Sequence, residues 1–216
     1  MARVPAVAPA RATTLILLRH GLTRSTGRIL PGRAPGLHLS ERGRVQAEAA
    51  AAALSELPAP GALYTSPLER TRETAAPVAR ALGLRARSHR GLLECDFGDW
   101  TGRSLAQLRR TRDWSTVQHA PSAFRFPGGE SFAEMQRRIW DTLGELAAAH
   151  PGQSVVAVSH ADPIKAALTY ALGVPLDLFQ RTVVSPGSLS VLVLGAGAPV
   201  VLCVNRTGSL SELVAS

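Results

Sequence analysis

The chain has 216 residues, of which 45% are hydrophobic and 19% charged, and these values favour one sizeable globular domain over two. Its net charge of +8 does not indicate a nucleic-acid-binding protein, because 23 of the 24 basic residues are arginines spread along the chain and aromatic residues make up only 5%. No apolar run approaches the roughly 20 residues of a membrane span, and two cysteines alone make neither a disulfide framework nor a metal site.

The start of the chain predicts a tail followed by a strand. Residues 1–13 are rich in alanine and proline and lack the continuous apolar core of a signal peptide, so we expect a flexible tail and a cytoplasmic protein. Residues 14–216 would form a single domain that begins with a strand at Thr14–Arg19. The following residues, 21–39, are interrupted by glycine and proline and predict a loop, and loops of such length often carry function.

Two helices flank a short strand in the next part of the chain. Ser40 is a typical N-cap residue and begins an alanine-rich helix over residues 40–57. Ala62–Thr65 is apolar and predicts a strand. The second helix is expected over residues 67–82, with proline at its first position and glycine after its end. Pro77 inside it predicts a kink or a split.

Strand and helix patterns continue to alternate in the second half. Residues 84–93 include a further strand, and Ser104–Gln118 reads as one helix. A loop rich in glycine and proline precedes a long helix that Ser131 caps and that ends near His150. Val155–Ser159 predicts the next strand and Pro163–Leu172 the next helix. This alternation is typical of the α/β class.

The last part of the chain predicts an antiparallel edge. Leu189–Leu194 and Val200–Val204 are two apolar runs around a Gly-Ala-Gly turn, which indicates a hairpin. The expected architecture is therefore an α/β three-layer sandwich with a mostly parallel central sheet and an antiparallel edge strand. An exposed edge could pair with a second copy of the chain, so a homodimer is a further hypothesis.

Two strand ends carry residues suited to binding an oxyanion. The first strand ends in Arg19-His20, and the strand Val155–Ser159 is followed by His160. Arginine offers a permanent, forked cation that matches phosphate geometry, and histidine can move protons or attack phosphorus near neutral pH. Because ligands bind beyond the carboxyl ends of parallel strands, we expect both histidines to face one pocket.

Five sequence blocks in a fixed order extend this pattern. They are RHG at 19–21, SPLERTRETA at 66–75, LLECDFGDWTG at 92–102, PGGES at 127–131 and SHADPI at 159–164. With them the chain resembles the histidine phosphatase superfamily, also called the phosphoglycerate-mutase-like family, from Leu15 to about Leu194. RHG alone is a weak signal, whereas five blocks in the family's order are a strong one.

The resemblance implies a mechanism and five catalytic residues. His20 would attack phosphorus and become a phosphohistidine that water then hydrolyses. Arg19, Arg70 and His160 would surround the non-bridging oxygens, where negative charge sits throughout the transfer. Glu94 would protonate the leaving oxygen and later activate water. Arginines and histidine take the place of a metal, so no metal or other cofactor is expected, and the partner is a small phosphorylated substrate.

The family pattern, and the places where this chain departs from it, suggest residues that bind the substrate. They are Gly21, Thr23, Thr26, Arg33, Glu130 and Ala161. Thr26 occupies the position where many members have an asparagine, so its contact with the phosphoryl group is open. Arg33 is an extra cation near the entrance that could read an acidic substrate or simply be solvated. Glu130 is expected near the pocket and not in it.

The residues taken alone leave other interpretations open. His20 could be an ordinary buried histidine, and His160 could merely cap the next helix. Asp96 and Asp99 are rivals of Glu94, and only the family pattern selects among the three. The compact stretch 103–126 favours a phosphatase over a phosphoglycerate-type phosphomutase, because an open site admits water. A non-catalytic module that binds an anion or a protein is the alternative from another class.

Overall fold

A six-stranded sheet runs through the part of the protein that the computed structural model describes, residues 11–208. Its strands are β1 (Thr13–Arg19), β2 (Ala62–Thr65), β3 (Ala86–Ser88), β4 (Ser154–Ser159), β5 (Leu189–Leu194) and β6 (Val200–Arg206). They lie in the order β3-β2-β4-β1-β5-β6. The first four of that order are parallel, whereas β5 is antiparallel to β1 and β6 is antiparallel to β5. The mostly parallel sheet with an antiparallel edge is therefore confirmed.

Helices cover both faces of this sheet. Within the described residues they are α1 (Glu41–Ser55), α2 (Glu69–Leu82), α3 (Leu105–Leu108), α4 (Arg112–His119), α5 (Phe132–Ala149) and α6 (Ala161–Ala171). Helices α1 and α2 pack together on one face, and α5 and α6 pack together on the other. Short 3-10 turns occupy Arg90–Leu92, Gly98–Trp100, Pro121–Ala123 and Leu176–Arg181. The predicted three-layer sandwich is confirmed.

The central strand β1 explains why both faces need a cover. Successive side chains of a strand point to opposite faces. Leu15 and Leu17 accordingly join the core under α5 and α6, and Ile16 and Leu18 join the core under α1 and α2. Each of these four side chains is almost completely buried, which contributes about 1.5–3 kcal/mol apiece to folding. The continuous apolar run therefore suits a strand in the middle of the sheet. The Arg-His pair that follows it lies at the rim of the sheet.

Three helix ends follow the sequence signals. The Ser40 hydroxyl accepts a hydrogen bond from the backbone N–H of Gly43 and caps α1. Ser131 and Glu134 form a reciprocal capping box at the start of α5. Gly83 ends α2 in the left-handed conformation, with a φ of 64°, which glycine adopts without steric cost. The helix α2 is continuous through Pro77, so a split there is wrong.

The predicted helix Ser104–Gln118 is two short helices, α3 and α4. Thr111 interrupts it in an extended conformation, and its hydroxyl accepts a hydrogen bond from the N–H of Trp114. Threonine favours such N-caps because its side chain competes with the backbone for hydrogen bonds. The sequence pattern of apolar spacing did not reveal this competition.

Two further helices begin at other residues than predicted. Helix α2 begins at Glu69 and not at Pro67, because the N–H of Ser66 still bonds the carbonyl of Val158 as a continuation of β2. Helix α6 begins at Ala161, so Pro163 lies inside its first turn. Proline is tolerated there because the N–H it lacks would have no acceptor within the helix.

The chain extends at both ends beyond the residues that the structure describes. Most of the predicted tail, residues 1–10, lies outside the described residues, as do residues 209–216. Strand β1 begins at Thr13, one residue before the predicted start. No helix within residues 11–208 combines the length and apolarity that crossing a membrane requires.

Candidate active site

The polar ends of β1 and β4 lie side by side at one rim of the sheet. The two strands are parallel and Arg19 pairs in register with Ser159. The backbone N–H of His20 donates to the carbonyl of Ser159 at 3.0 Å. The rings of His20 and His160 consequently approach to 5.2 Å between centroids. The expectation that both histidines face one pocket agrees with this arrangement.

Hydrogen bonds fix the tautomer of His20. Its Nδ1 lies 2.8 Å from the carbonyl oxygen of Gly21, which can only accept, so Nδ1 carries the hydrogen. Its Nε2 accepts a hydrogen bond from Nε of Arg70 at 3.3 Å. Burial, followed by the charges of Arg70 and Arg19, holds the pKa of His20 well below its ordinary value. The ring is therefore neutral near pH 7, with a lone pair on Nε2 that faces the arginine.

Gly21 keeps this turn close to helix α1. A side-chain carbon at Gly21 would lie 2.3 Å from the carbonyl oxygen of Gly43, so no larger residue fits without a backbone shift. The N–H of Gly21 donates to the Thr74 hydroxyl at 3.1 Å, and its carbonyl holds His20. Both backbone groups of Gly21 are thus engaged within the protein. Gly21 positions His20 and has no free N–H for a substrate.

Two buried arginines flank His20, and each is anchored by a backbone carbonyl. Nη1 of Arg19 donates to the Val184 carbonyl at 2.5 Å, and Nη2 of Arg70 donates to the Gly32 carbonyl at 2.8 Å. Burial lowers the pKa of both groups, while the nearby Glu94 raises it. An arginine remains a cation far above neutral pH. The anchors fix the two guanidinium groups while leaving each with further donors.

His160 completes the group from the start of α6. Its side chain is fully buried, and its Nε2 lies 2.8 Å from the Ser66 hydroxyl. Burial, then the charge of Arg70, keeps its pKa well below the ordinary value. These four residues, Arg19, His20, Arg70 and His160, form the cage. Sequence blocks far apart in the chain supply its members because β1, β4 and α2 meet at this rim.

Three polar atoms of the cage are buried and have no hydrogen-bond partner among the described residues. They are Nε of Arg19, Nη1 of Arg70 and Nδ1 of His160. A buried polar group without a partner costs about 1–3 kcal/mol. Such atoms are uncommon in folded proteins, and here three of them belong to neighbouring side chains. Together they can donate to the oxygens of one tetrahedral anion.

Glu94 lies beside the cage in the loop after the turn Arg90–Leu92. Its side chain is 7% exposed, and Oε1 accepts a hydrogen bond from the N–H of Cys95 at 2.9 Å. Burial, followed by the charge of Asp162, raises its pKa to about 7 against the opposing effect of Arg70 and Arg19. A carboxyl group with this pKa can both give and take a proton near neutral pH.

The two rival carboxylates of the same loop lie elsewhere. Asp96 pairs with Arg33 at 3.1 Å and accepts a hydrogen bond from the N–H of Gly98. Asp99 is exposed. The charge of Glu94, by contrast, raises the pKa of both Arg19 and Arg70. Of the three carboxylates in this loop, Glu94 is therefore the one that the fold brings to the cage.

Arg33 and Glu130 belong to an ion-pair network behind the Glu94 loop. Nη2 of Arg33 lies 2.9 Å from Glu130, and its Nε donates to the carbonyl of Glu94 at 2.9 Å. Glu130 also pairs with Arg138 at 2.8 Å. Arg33, Asp96, Glu130 and Arg138 form the support network. The charge of Arg33 is neutralised there, so the structure gives it a supporting place and not that of a free cation at the entrance.

Arg138 supports the Glu94 loop, and the sequence did not single it out. From helix α5 it donates to the backbone carbonyls of Gly91, at 2.7 Å, and of Leu93, at 2.9 Å. It thereby fixes the backbone that carries Glu94. In the sequence Arg138 follows Arg137 on a helix with many charges, and nothing in that pattern separates the supporting arginine from its exposed neighbour.

The remaining candidates lie around the first loop and the start of α6. The N–H of Thr23 donates to the Thr26 hydroxyl at 3.0 Å, and the two hydroxyls also lie 3.0 Å apart. Thr26 thus closes a turn of the loop and contacts Thr23. Ala161 is the first residue of α6, directly after His160, where backbone N–H groups have no acceptor within the helix. Within residues 11–208, no cluster of three or more His, Cys, Asp or Glu residues could hold a metal ion.

Comparison with known proteins agrees with this geometry. A model of the histidine phosphatase superfamily, branch 1, matches residues 15–207. Phosphoserine phosphatase 1 of Hydrogenobacter thermophilus is 34% identical over 203 residues, which cover 92% of this chain and 94% of that protein. The native structure of a mycobacterial glucosyl-3-phosphoglycerate phosphatase superposes with a TM-score of 0.80 at 28% identity, covering 91% of this chain and 100% of the other.

Three of the mycobacterial relatives are much longer than this chain. A bifunctional protein of Mycobacterium tuberculosis is 37% identical over 202 residues, which cover 92% of this chain but 55% of that protein. The chain therefore spans about half the length of these mycobacterial relatives.

Proposed function

The chain belongs to the histidine phosphatase superfamily, and we propose that it is a phosphoric monoester hydrolase that acts on a small phosphorylated metabolite through a phosphohistidine at His20. The observation that carries this proposal is the set of buried, unpartnered polar atoms on Arg19, Arg70 and His160. They lie around a neutral histidine whose Nε2 holds a lone pair. A phosphoryl group placed there would accept hydrogen bonds from all three while His20 attacks its phosphorus.

The first half of the reaction forms the phosphohistidine. Nε2 of His20 forms a bond to phosphorus as the bond to the ester oxygen breaks, and the electron pair leaves with that oxygen. Protonated Glu94 gives its proton to the leaving oxygen, so a neutral alcohol departs. Nδ1–H of His20, held by the Gly21 carbonyl, stabilises the positive charge that develops on the ring.

The second half returns the enzyme to its starting state. Glu94, now a carboxylate, takes a proton from water as the water oxygen attacks phosphorus. The phosphorus–nitrogen bond breaks, its electron pair returns to Nε2, and inorganic phosphate leaves. Glu94 is again protonated and His20 again neutral. A pKa of about 7 suits Glu94 to both roles, because each protonation state is populated near neutral pH.

The relatives favour hydrolysis over a mutase reaction. The names of two similar proteins are phosphoserine phosphatase and glucosyl-3-phosphoglycerate phosphatase, and in each name water is the implied acceptor. We carry over the reaction class and a small phosphorylated metabolite as substrate. The proposed single catalytic domain, the cytoplasmic location and a homodimer stay predictions.

The test is phosphate release from a panel of phosphomonoesters in the presence of EDTA. We expect the unchanged protein to release phosphate and His20→Ala to lose at least about 10⁴-fold in kcat/KM. Rapid quenching followed by mass spectrometry should locate a phosphoryl group on His20. His150→Gln is the matched control, since His150 ends helix α5 at the opposite rim of the sheet from His160.

Two outcomes would contradict the proposal. Equal activity of the protein and of His20→Ala would exclude the phosphohistidine route. No phosphate release from any ester, combined with transfer of the phosphoryl group to a second alcohol, would support a mutase.

A further inference from the structure

A cavity of about 210 Å³ lies next to the two segments that carry Glu94 and His160. Two of its lining residues belong to the segments that carry the catalytic candidates: Phe97 follows Glu94 by three positions, and Asp162 follows His160 by two. Burial has the largest effect on both groups, raising the pKa of Glu94 and lowering the pKa of Arg19. The charge of Asp162 raises the pKa of each. Asp162 therefore connects the cavity with Glu94, the residue that would protonate the leaving ester oxygen.

Most of the cavity wall is apolar and rigid. The apolar lining residues are Leu30, Phe97, Trp114, Val117, Phe126 and Phe132. Phe126 packs against Phe97 at 4.9 Å and against Phe132 at 5.2 Å between ring centroids, and all three are nearly fully buried. Aromatic side chains packed in this way change shape little when a ligand enters. The wall therefore suits a compact hydrocarbon skeleton.

The polar part of the lining consists of one carboxylate and two side-chain amides, and it contains no cation among the described residues. Its members are Gln118, Asp162 and Gln180. Lys165 lies outside the lining, where its ammonium group contacts Oδ1 of Asp162 at 3.7 Å and Oε1 of Gln180 at 3.2 Å. It also lies 5.6 Å from the centre of the Phe179 ring. Lys165 therefore holds the Asp162 carboxylate and the amide oxygen of Gln180 without itself lining the cavity.

The cage already provides the cations that a phosphate ester needs. A phosphoryl dianion would be matched by the cations of Arg19 and Arg70. A second anion on the alcohol would then meet the Asp162 carboxylate with no lining cation to offset it. An ammonium or hydroxyl group would instead donate to the Asp162 carboxylate.

The size of the cavity limits the alcohol. Its volume holds about seven water molecules at about 30 Å³ each. Sites for drug-sized ligands usually measure about 300–1,000 Å³. A skeleton of a few carbon atoms fits this space.

Resting on the proposed function, we infer that this cavity holds the alcohol part of the substrate and that Asp162 selects phosphomonoesters of small alcohols that carry a hydrogen-bond donor. The preferred order is ammonium, then hydroxyl, then carboxylate. Asp162 is on this view a specificity residue that contacts the substrate, and Lys165 is a positioning residue that acts through it.

The test uses three esters that share a two-carbon skeleton: O-phosphoethanolamine, 2-hydroxyethyl phosphate and 2-phosphoglycolate. We expect the unchanged protein to favour the ammonium ester over the carboxylate ester by at least about tenfold in kcat/KM. Asp162→Asn should reduce that ratio to about threefold or less. Because Asp162 also acts on Glu94, its loss will change all three rates, and the ratio cancels this common factor.

Asp177→Asn is the matched control. Asp177 lies on the neighbouring turn, where it accepts a hydrogen bond from the N–H of Ser122 and does not line the cavity. It removes the same charge and should leave the ratio of the three esters unchanged. A ratio that falls equally in both variants would indicate a general effect of net charge and would overturn the inference.

The remaining outcomes separate this inference from the proposed function. Hydrolysis of all three esters at equal kcat/KM, or a preference for 2-phosphoglycolate, would overturn the inference and leave the hydrolase intact. If none is hydrolysed, calorimetry with His20→Ala measures their affinities without turnover. The same order of affinities would support the inference, and equal or absent binding would overturn it. Failure of inorganic phosphate to bind would contradict the proposed function itself.

Discussion

The cage and the support network use arginine in opposite ways. Arg19 and Arg70 are anchored by backbone carbonyls and, within residues 11–208, lie in no ion pair with a carboxylate. Arg33 and Arg138 pair with carboxylates at about 3 Å and also hold the backbone of the Glu94 loop. Among the described residues, the first pair has buried N–H groups without a hydrogen-bond partner, whereas the second pair has none.

This difference indicates where the site keeps its capacity to bind an anion. Burying a cation without a counter-ion is unfavourable, and an entering anion removes that penalty. A bound phosphoryl group would therefore supply the cage arginines with the negative charge that Asp96 and Glu130 already supply to Arg33 and Arg138. Whether an arginine binds substrate or stabilises a loop depends on its partners in the fold and not on its distance from His20 in the sequence.

The largest effect is expected from Arg70→Lys, which removes a planar guanidinium group from the cage. Arg70→Lys cannot donate to His20, to the Gly32 carbonyl and to a phosphoryl oxygen at the same time. We expect kcat/KM to fall by about 10²–10³-fold, the usual cost of a lost transition-state donor. Steady-state kinetics on one phosphomonoester measures this.

Arg33→Lys in the support network is the matched comparison. It keeps the charge near Asp96 and Glu130, so we expect kcat/KM to fall by no more than about fivefold, with the main effect on stability. Equal losses in the two variants would mean that cage and network do not differ in function.

A smaller effect on catalysis, with a larger one on stability, is expected from Arg138→Met. The carbonyls of Gly91 and Leu93 lose the donor that Arg138 supplies, while the Glu94 carbonyl and the Glu130 carboxylate each lose one of two arginine partners. The free energy of unfolding should therefore fall by about 2–4 kcal/mol. We expect kcat to fall by about tenfold because Glu94 is no longer held beside the leaving oxygen. Denaturant unfolding and steady-state kinetics give the two values.

Its neighbour Arg137 supplies the control. The Arg137 side chain is 84% exposed and pairs only with Asp141 at 3.6 Å, so Arg137→Met should change stability by less than about 0.5 kcal/mol. Affinity for inorganic phosphate should stay the same in both variants, since the cage is unchanged. A loss of phosphate affinity in Arg138→Met would show that the two regions are coupled.

The same two regions show how far the sequence could predict the molecule. The apolar runs, the caps and the Arg-His and Ser-His strand ends are local signals, and with the five blocks they predicted the sheet and brought His20 and His160 to one rim. The partners of Arg33 lie 63 and 97 positions away in the chain. Such partners depend on how loops pack, which no local pattern contains.

The misplaced elements have the same kind of cause. The split at Thr111 depends on one hydroxyl bonding one backbone N–H, and the late start of α2 depends on a bond between Ser66 and Val158 across the sheet. The sequence contains these residues, but no local pattern shows which of two available hydrogen bonds each of them forms. Arg138 could not be told from Arg137 for that reason as well.

The smallest effect expected is in the pH dependence of His20 phosphorylation. This pH dependence distinguishes titration of Glu94 from titration of a cage residue. The protein buries Glu94 beside Asp162, and its pKa rises from 4.5 to about 7. As an acid it must be protonated, so phosphorylation of His20 by an alkyl ester should fall to about half its plateau at pH 7 and decline further above it. His20 adds no opposing change in this range, because its pKa lies well below the ordinary value. Rapid-quench measurement of the burst between pH 5.5 and 8.5 gives this curve.

An aryl phosphate, whose leaving group needs no proton, is the internal control and should show a flat burst rate over the same range. Glu94→Gln should abolish the pH dependence with the alkyl ester and change the aryl ester little. The folded protein binds this proton more tightly than the unfolded chain does, so the stability that Glu94 contributes is lost as pH rises from about 4.5 through about 7. Glu94→Gln should therefore flatten the unfolding free energy in that window. If the burst declined equally for both esters, the titrating group would belong to the cage, and the assignment of Glu94 as the proton donor would fail.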